Sequence, residues 1–120
     1  MTQEIPSAIF EELRGEQLSA VTFVQDYLQL WFDGPGINVT NPLTIESSSG
    51  KFTTSQPGFR DALCAQIAKT VDNVEIRPSD ALVVLFTDGS SISISLRPED
   101  YSSAEAFYAH SFANHQWTTG

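Results

Sequence analysis

The fold is decided by the stretch Val21–Gly34, VTFVQDYLQLWFDG, because a second stretch, Val74–Gly89, VEIRPSDALVVLFTDG, resembles it. Each stretch is followed by a short strand-like piece, Ile37–Val39 in the first and Ile92–Ile94 in the second. The offset grows from 53 to 55 residues, so the alignment needs two single-residue insertions. The similarity predicts an internal duplication within a single domain, 1–120, with repeats at about 17–71 and 72–115.

Composition places the chain among folded, acidic proteins. Its 120 residues are 41% hydrophobic and 11% aromatic, which suits one domain with one core and excludes a disordered chain. Fifteen acidic residues against six basic ones give a net charge of −9. That charge repels phosphate backbones and anionic membranes, so it argues against nucleic-acid and membrane partners and favours a basic protein.

The cysteine count and the N-terminus indicate a cytoplasmic protein. Cys64 is the single cysteine, so no internal disulfide forms, as expected in a reducing compartment. The first residues, Met1–Pro6, lack the basic region and apolar run of a signal peptide, and no stretch is long and apolar enough to span a membrane.

Alternating apolar residues predict six strands. Tyr27–Phe32 alternates strictly, with Leu28, Leu30 and Phe32 on one face and Tyr27, Gln29 and Trp31 on the other. The other predicted strands are Leu18–Val24, Ile37–Val39, Val74–Ile76, Ala81–Phe86 and Ser91–Leu96. The polar segment Asn41–Gln56 is predicted as a hairpin around Leu43–Ile45 and Phe52, or alternatively as a mobile loop.

Helical spacing predicts helices in three places. Pro6–Leu13 is a short one ending before Gly15, and the segment from Pro57 has apolar residues four apart as far as Val71. Ser102 and Glu105 have the spacing of a capping box and predict a helix over Ser103–Asn114. Together the elements predict an α+β fold: two β-β-β-α repeats forming an antiparallel sheet layer of about six strands, packed with two or three helices.

Most residues with reactive side chains have a structural explanation. Cys64, four residues after Arg60, is read as an activated thiol or, with far more weight, as a packed core residue. His110 and His115 are five apart, whereas a helical ligand pair needs four, so surface histidines are expected. Asp26 and Asp80 occupy matching positions in the two repeats, which suggests a pair of carboxylates for acid–base chemistry. Aspartate is also a preferred turn residue at such positions, and structural turns are the favoured interpretation.

Two sets of residues are candidate sites. Tyr27, Gln29 and Trp31 share a strand face that is either roofed by a helix, the favoured alternative, or presented to a partner. Arg97, Asp100 and Tyr101 form a loop that either grips an anionic ligand or closes on itself through an ion pair. No phosphate-binding loop, nucleophile elbow or zinc spacing is present, so no catalytic residue, cofactor or metal is predicted, and an enzyme is disfavoured.

Residues from about Leu13 to Ala109 resemble a small bacterial domain family known mainly as hypothetical proteins. The resemblance rests on the segments Val21–Phe23, Asp26–Leu30, Phe32–Gly34, Gly58–Cys64 and Ser95–Tyr101 followed by Glu105-Ala106. The family has no assigned activity, so the resemblance implies no functional residue. In size, acidity and duplication the chain is also similar to bacterial immunity proteins, although no motif carries that likeness.

Three functions follow as hypotheses. The first is a non-enzymatic cytoplasmic module that binds a protein, either a different protein or a second copy of itself, through its acidic surface or the Tyr27/Trp31 face. The second is a small-molecule-binding protein or enzyme with a pocket between the repeats. The third is a toxin-neutralising, immunity-like protein.

Overall fold

The computed structural model describes residues 7–112 and 116–120. Within these residues the chain forms ten strands, a 3₁₀ helix at Ser7–Leu13, another at Pro98–Asp100, and one six-residue α-helix, α1 (Phe59–Cys64). The strands are β1 (Ala20–Phe23), β2 (Leu28–Trp31), β3 (Gly36–Val39), β4 (Leu43–Ser47), β5 (Gly50–Thr53), β6 (Val71–Arg77), β7 (Ala81–Phe86), β8 (Ser91–Ser95), β9 (Phe107–His110) and β10 (Thr118–Thr119).

The strands form two five-stranded antiparallel sheets. The first sheet has the order β1-β2-β3-β9-β10, and the second has the order β6-β7-β8-β4-β5. Each sheet is a three-stranded meander from one half of the chain, extended by a hairpin from the other half. The predicted α+β fold is therefore wrong: the domain is mostly β, and hairpins stand where the β-β-β-α repeats required helices. The two sheets share this strand plan, while the duplication itself stays a prediction.

Side-chain alternation places one core in contact with both sheets. In the first sheet Leu28, Leu30 and Ile37 are buried, and in the second Ile45 and Ile92 are buried in the same cluster. Burial of apolar side chains from both sheets is the main stabilising term for such a domain. Among the described residues no helix has the length and apolar character needed to cross a membrane.

The helix predicted from Pro57 to Val71 is wrong beyond Cys64. Phe59 and Leu63 are buried as predicted, but Ala68 has a φ of 78°, which no α-helix contains. The Ala68 amide donates to the Leu18 carbonyl at 2.7 Å, and the Leu18 amide donates to the Lys69 carbonyl at 3.1 Å. Pairing with the segment before β1 thus replaces the helical hydrogen bonds, and Val71 begins β6 instead.

The helix predicted over Ser103–Asn114 is also wrong where the structure describes it. Residues 107–110 form β9, in which Phe107 and Ala109 are buried while Tyr108 is exposed. The Ser103 hydroxyl donates to the Glu105 carbonyl at 2.8 Å, so this serine stabilises a local turn. β9 pairs with β3 from Gly36↔His110 to Val39↔Phe107, and this long-range pairing overrides the local helical signal. Asn114 lies outside the described residues.

The segment 41–56 is an ordered hairpin, β4–β5, which is the first of the two predicted alternatives. Ile45 and Phe52 lie opposite each other, and the Thr44 and Thr53 hydroxyls are 3.1 Å apart. The predicted strand at residues 27–32 is confirmed as β2, with Leu28, Leu30 and Phe32 buried.

A polar network ties the turn between β7 and β8 to the segment that follows α1. Lys69 Nζ lies 2.8 Å from Asp88 Oδ2, and the Gln66 amide donates to the Ser90 hydroxyl at 2.9 Å. Gln66 and Ser90 are both buried. Hydrogen bonds from Lys69 and then from Ser90 hold the pKa of the Asp88 carboxyl far below its ordinary value of 3.8.

This network predicts acid sensitivity. A carboxyl whose folded-state pKa is depressed contributes stability above its unfolded-state pKa, and that contribution is lost as the pH falls through the folded-state pKa. Asp88→Asn should therefore be less stable than the wild type at pH 7, and the difference should shrink between pH 5 and pH 2. Urea unfolding at several pH values measures it. Glu99→Gln, which removes an exposed acid in the 3₁₀ helix Pro98–Asp100, is the control. If the stability difference between Asp88→Asn and the wild type does not change with pH, the role of Asp88 is contradicted.

Candidate functional site

Within residues 7–112 and 116–120, the outward side of the first sheet carries no Asp, Glu, Lys or Arg. Because side chains alternate along each strand, the residues between the buried ones point away from the core. We call this surface the uncharged face, and its members are Ala20, Thr22, Gln29, Trp31, Gly36, Asn38, Tyr108, His110 and Thr119. In a chain with a net charge of −9, such a surface is a marked departure from the average composition.

The outward side of the second sheet provides a contrast within the same molecule. It bears Glu46, Lys51, Glu75 and Arg77, and no aromatic residue among those whose structure is described. These charges pair with each other on the surface.

 Lys51 Nζ lies 3.6 Å from Glu46 Oε1, and Arg77 Nη2 lies 2.9 Å from Glu75 Oε2. The two outer faces therefore differ in kind: one is charged and self-paired, the other neutral and aromatic.

Aromatic rings cluster on the uncharged face. The Trp31 and His110 rings meet edge-on with centroids 5.3 Å apart, and the Tyr108 and His110 rings stack at 5.1 Å. Trp117, in the segment before β10, lies 6.1 Å from Tyr108 and is 64% exposed. Tyr108 is 40% exposed, so the cluster presents ring surface to solvent.

Gly36 allows this cluster to form. It lies between Trp31 and His110 in the cross-strand row. A Cβ atom at position 36 would lie 2.8 Å from His110 Cε1 and 2.9 Å from two Trp31 ring carbons. The two rings meet because this position has no side chain.

A chain of hydrogen bonds orients the polar groups. Asn38 Oδ1 lies 3.2 Å from Gln29 Nε2 and 2.9 Å from His110 Nε2, and His110 Nδ1 lies 2.9 Å from the Ser111 hydroxyl. With Asn38 Oδ1 as the common acceptor, His110 carries its proton on Nε2. Burial lowers the pKa of His110, which favours the neutral ring. A shallow cavity of about 360 Å³ lies over these groups.

The residues predicted as an interaction surface lie on or beside this face. Gln29 and Trp31 belong to it, and the side chain that packs on the half-buried Trp31 is His110 rather than part of a roofing helix. Tyr27 precedes β2, is 37% exposed, and lines a neighbouring cavity together with Asn38 and Tyr108. Sequence reasoning did not assign Asn38, Tyr108, His110 and Trp117 to one surface, because the segments that carry the last three are distant in the chain from β2 and β3.

The residues of the predicted ligand loop contact neighbouring segments of the chain. Arg97 Nε lies 3.3 Å from Asp80 Oδ1, and the Ser95 hydroxyl donates to Asp100. Tyr101 packs against the core, and burial raises its pKa. None of these three residues lines the three cavities described here.

The remaining candidates are not brought together. Cys64 is exposed, so its predicted core position is wrong. Asp80 pairs with Arg97, whereas Asp26 lines a separate cavity of about 650 Å³. His115 lies outside the described residues. Within residues 7–112 and 116–120, no group of three His, Cys, Asp or Glu side chains is placed to hold a metal ion.

Comparison with known protein families, with curated proteins and with solved structures gives no match. The resemblance noted from the sequence therefore stays a prediction. Function has to be argued from the surface itself.

Proposed function

We propose that this chain is a cytoplasmic, non-enzymatic module that binds a basic partner protein through the uncharged face. The observation that carries the proposal is the contrast between the two sheets, one with a neutral aromatic outer face and the other with a charged one. Protein interfaces have cores depleted in charge and enriched in Tyr and Trp, which is the composition of this face.

The surrounding charge favours the same kind of partner. Acidic residues such as Asp33 and Glu105 lie at the ends of the strands that form the face. A net charge of −9 speeds the encounter with a basic protein, while the neutral centre avoids the desolvation of buried ions.

Alanine substitutions at Tyr108 on the uncharged face and at the neighbouring Trp117 test the proposal. Tyr108→Ala and Trp117→Ala should each weaken partner binding about tenfold, because exposed aromatic residues dominate interface energetics. The control is Ile67→Ala, which truncates an exposed apolar residue elsewhere. Capture from lysate, followed by affinity measurement with the purified partner at two salt concentrations, gives the readout.

The outcomes separate the possible partners. The proposal is supported if Tyr108→Ala and Trp117→Ala weaken partner binding, Ile67→Ala does not, and the wild type binds more weakly at high salt. Equal binding by all variants contradicts it. A dimer in light scattering that Tyr108→Ala dissociates would replace the basic partner with a second copy of the chain.

A further inference from the structure

The largest of the three described cavities, about 650 Å³, lies away from the centre of the uncharged face. Its walls are the β1–β2 turn, the end of β3 and the connection from β5 to α1. The lining combines apolar side chains, such as Phe23 and Phe59, with polar ones, such as Thr40 and Asn41. A lining that is both polar and apolar suits a small ligand that carries charged groups on an apolar body.

Arg60 supplies an available cation in this wall. The other five basic residues each lie within 3.6 Å of a carboxylate. Arg60 forms no ion pair within the described residues, and its guanidinium carbon lies 5.0 Å from the centre of the Phe23 ring. Stacking on the ring holds the guanidinium and leaves its N–H donors free for a carboxylate.

Acceptors for a positive group line the same cavity. Asp26 and Asp61 contribute carboxylates. Asn41 is 4% exposed, and its Nδ2 donates to the Ser95 carbonyl at 2.8 Å, while its Oδ1 has no partner in the described part of the chain. A buried acceptor without a partner is unfavourable by about 1–3 kcal/mol, so a donor there would be stabilising.

We infer that this cavity binds a small zwitterion, an amino acid or short peptide with an apolar side chain. Arg60 binds the carboxylate, Asp26 or Asp61 binds the ammonium group, and Phe23 and Phe59 contact the side chain. A simple anion fits less well, because the wall has two carboxylates for one guanidinium and the chain is strongly negative. The nine residues of the uncharged face do not line this cavity, although Tyr27, beside that face, does.

Blocked ligands test the inference. The probes are L-phenylalanine, glycyl-L-phenylalanine, N-acetyl-L-phenylalanine and L-phenylalanine amide, titrated into ¹⁵N-labelled protein. The two zwitterions should shift amide signals in residues 24–28 and 54–61, and each blocked form should bind about tenfold more weakly, as expected for loss of one charged hydrogen bond.

Variants give the second readout. Arg60→Gln should weaken zwitterion binding about tenfold, whereas Arg14→Gln, which removes the same charge at a distant site, should leave it within about twofold. The inference is overturned if neither zwitterion shifts these signals at millimolar concentration. Equal binding of N-acetyl-L-phenylalanine, or unchanged binding to Arg60→Gln, also overturns it.

Discussion

Phe10→Ala should lower the free energy of unfolding by about 3–5 kcal/mol, the range for removing a fully buried phenylalanine. Phe10 is 1% exposed, and its ring meets those of Phe107 and Phe112 edge-on, with both centroids 6.0 Å away. The substitution therefore leaves a cavity where the N-terminal 3₁₀ helix packs against the end of the chain. Loss of both ring contacts adds to the lost burial.

Phe23→Ala is the matched control, because the same side chain is truncated at a site that is 37% exposed. Its effect should be about 1 kcal/mol, since less apolar surface leaves water on folding. Urea unfolding followed by circular dichroism measures both variants. If the two variants lower the free energy of unfolding by similar amounts, the packing of Phe10 does not hold the 3₁₀ helix against the rest of the domain.

The strands that could be predicted from the sequence are those with strict alternation. Leu28, Leu30 and Phe32 alternate with polar or aromatic neighbours, and all three are buried as predicted. Local pattern is sufficient there because one face of β2 contacts the core.

The predictions of the two longer helices were wrong because the apolar spacing of these segments fits more than one structure. Phe107 and Ala109 alternate as a strand requires, yet Phe107, Tyr108 and Phe112 also fit a helical stripe. The choice is made by pairing with β3, about seventy residues earlier in the chain. Long-range pairing of this kind has no local signal.

Only the residues of the candidate site that lie on a single strand could be predicted from the sequence, because pairing between strands has no local signal. Gln29 and Trp31 lie on one predicted strand, so their shared face follows from alternation. Asn38 and Tyr108 join them only through the β2–β3 and β3–β9 registers. Gly36 lies just before the predicted strand Ile37–Val39, although it is the residue that lets the rings meet.

Gly36→Val should destabilise the fold by about 1–3 kcal/mol, the usual range for overpacking. Glycine in a strand is ordinarily unfavourable by about 0.5–1 kcal/mol relative to alanine, so an added side chain would stabilise an open position. Here the Cβ atom would lie 2.8 Å from His110 and 2.9 Å from Trp31, and His110 is held by Asn38 and Ser111. The clash should therefore outweigh the gain from replacing a glycine, so that Gly36→Val lowers the free energy of unfolding.

A double-mutant cycle isolates that clash. His110→Ala removes one of the two obstructing rings, so Gly36→Val should cost less in that background than in the wild type. Ser93→Val, a comparable change on the outer side of the second sheet, is the control and should change stability by less than about 0.5 kcal/mol. Urea unfolding supplies the free energies. If Gly36→Val costs the same with and without His110, the close approach of the rings does not explain the glycine, and the aromatic cluster would have to be held by other contacts.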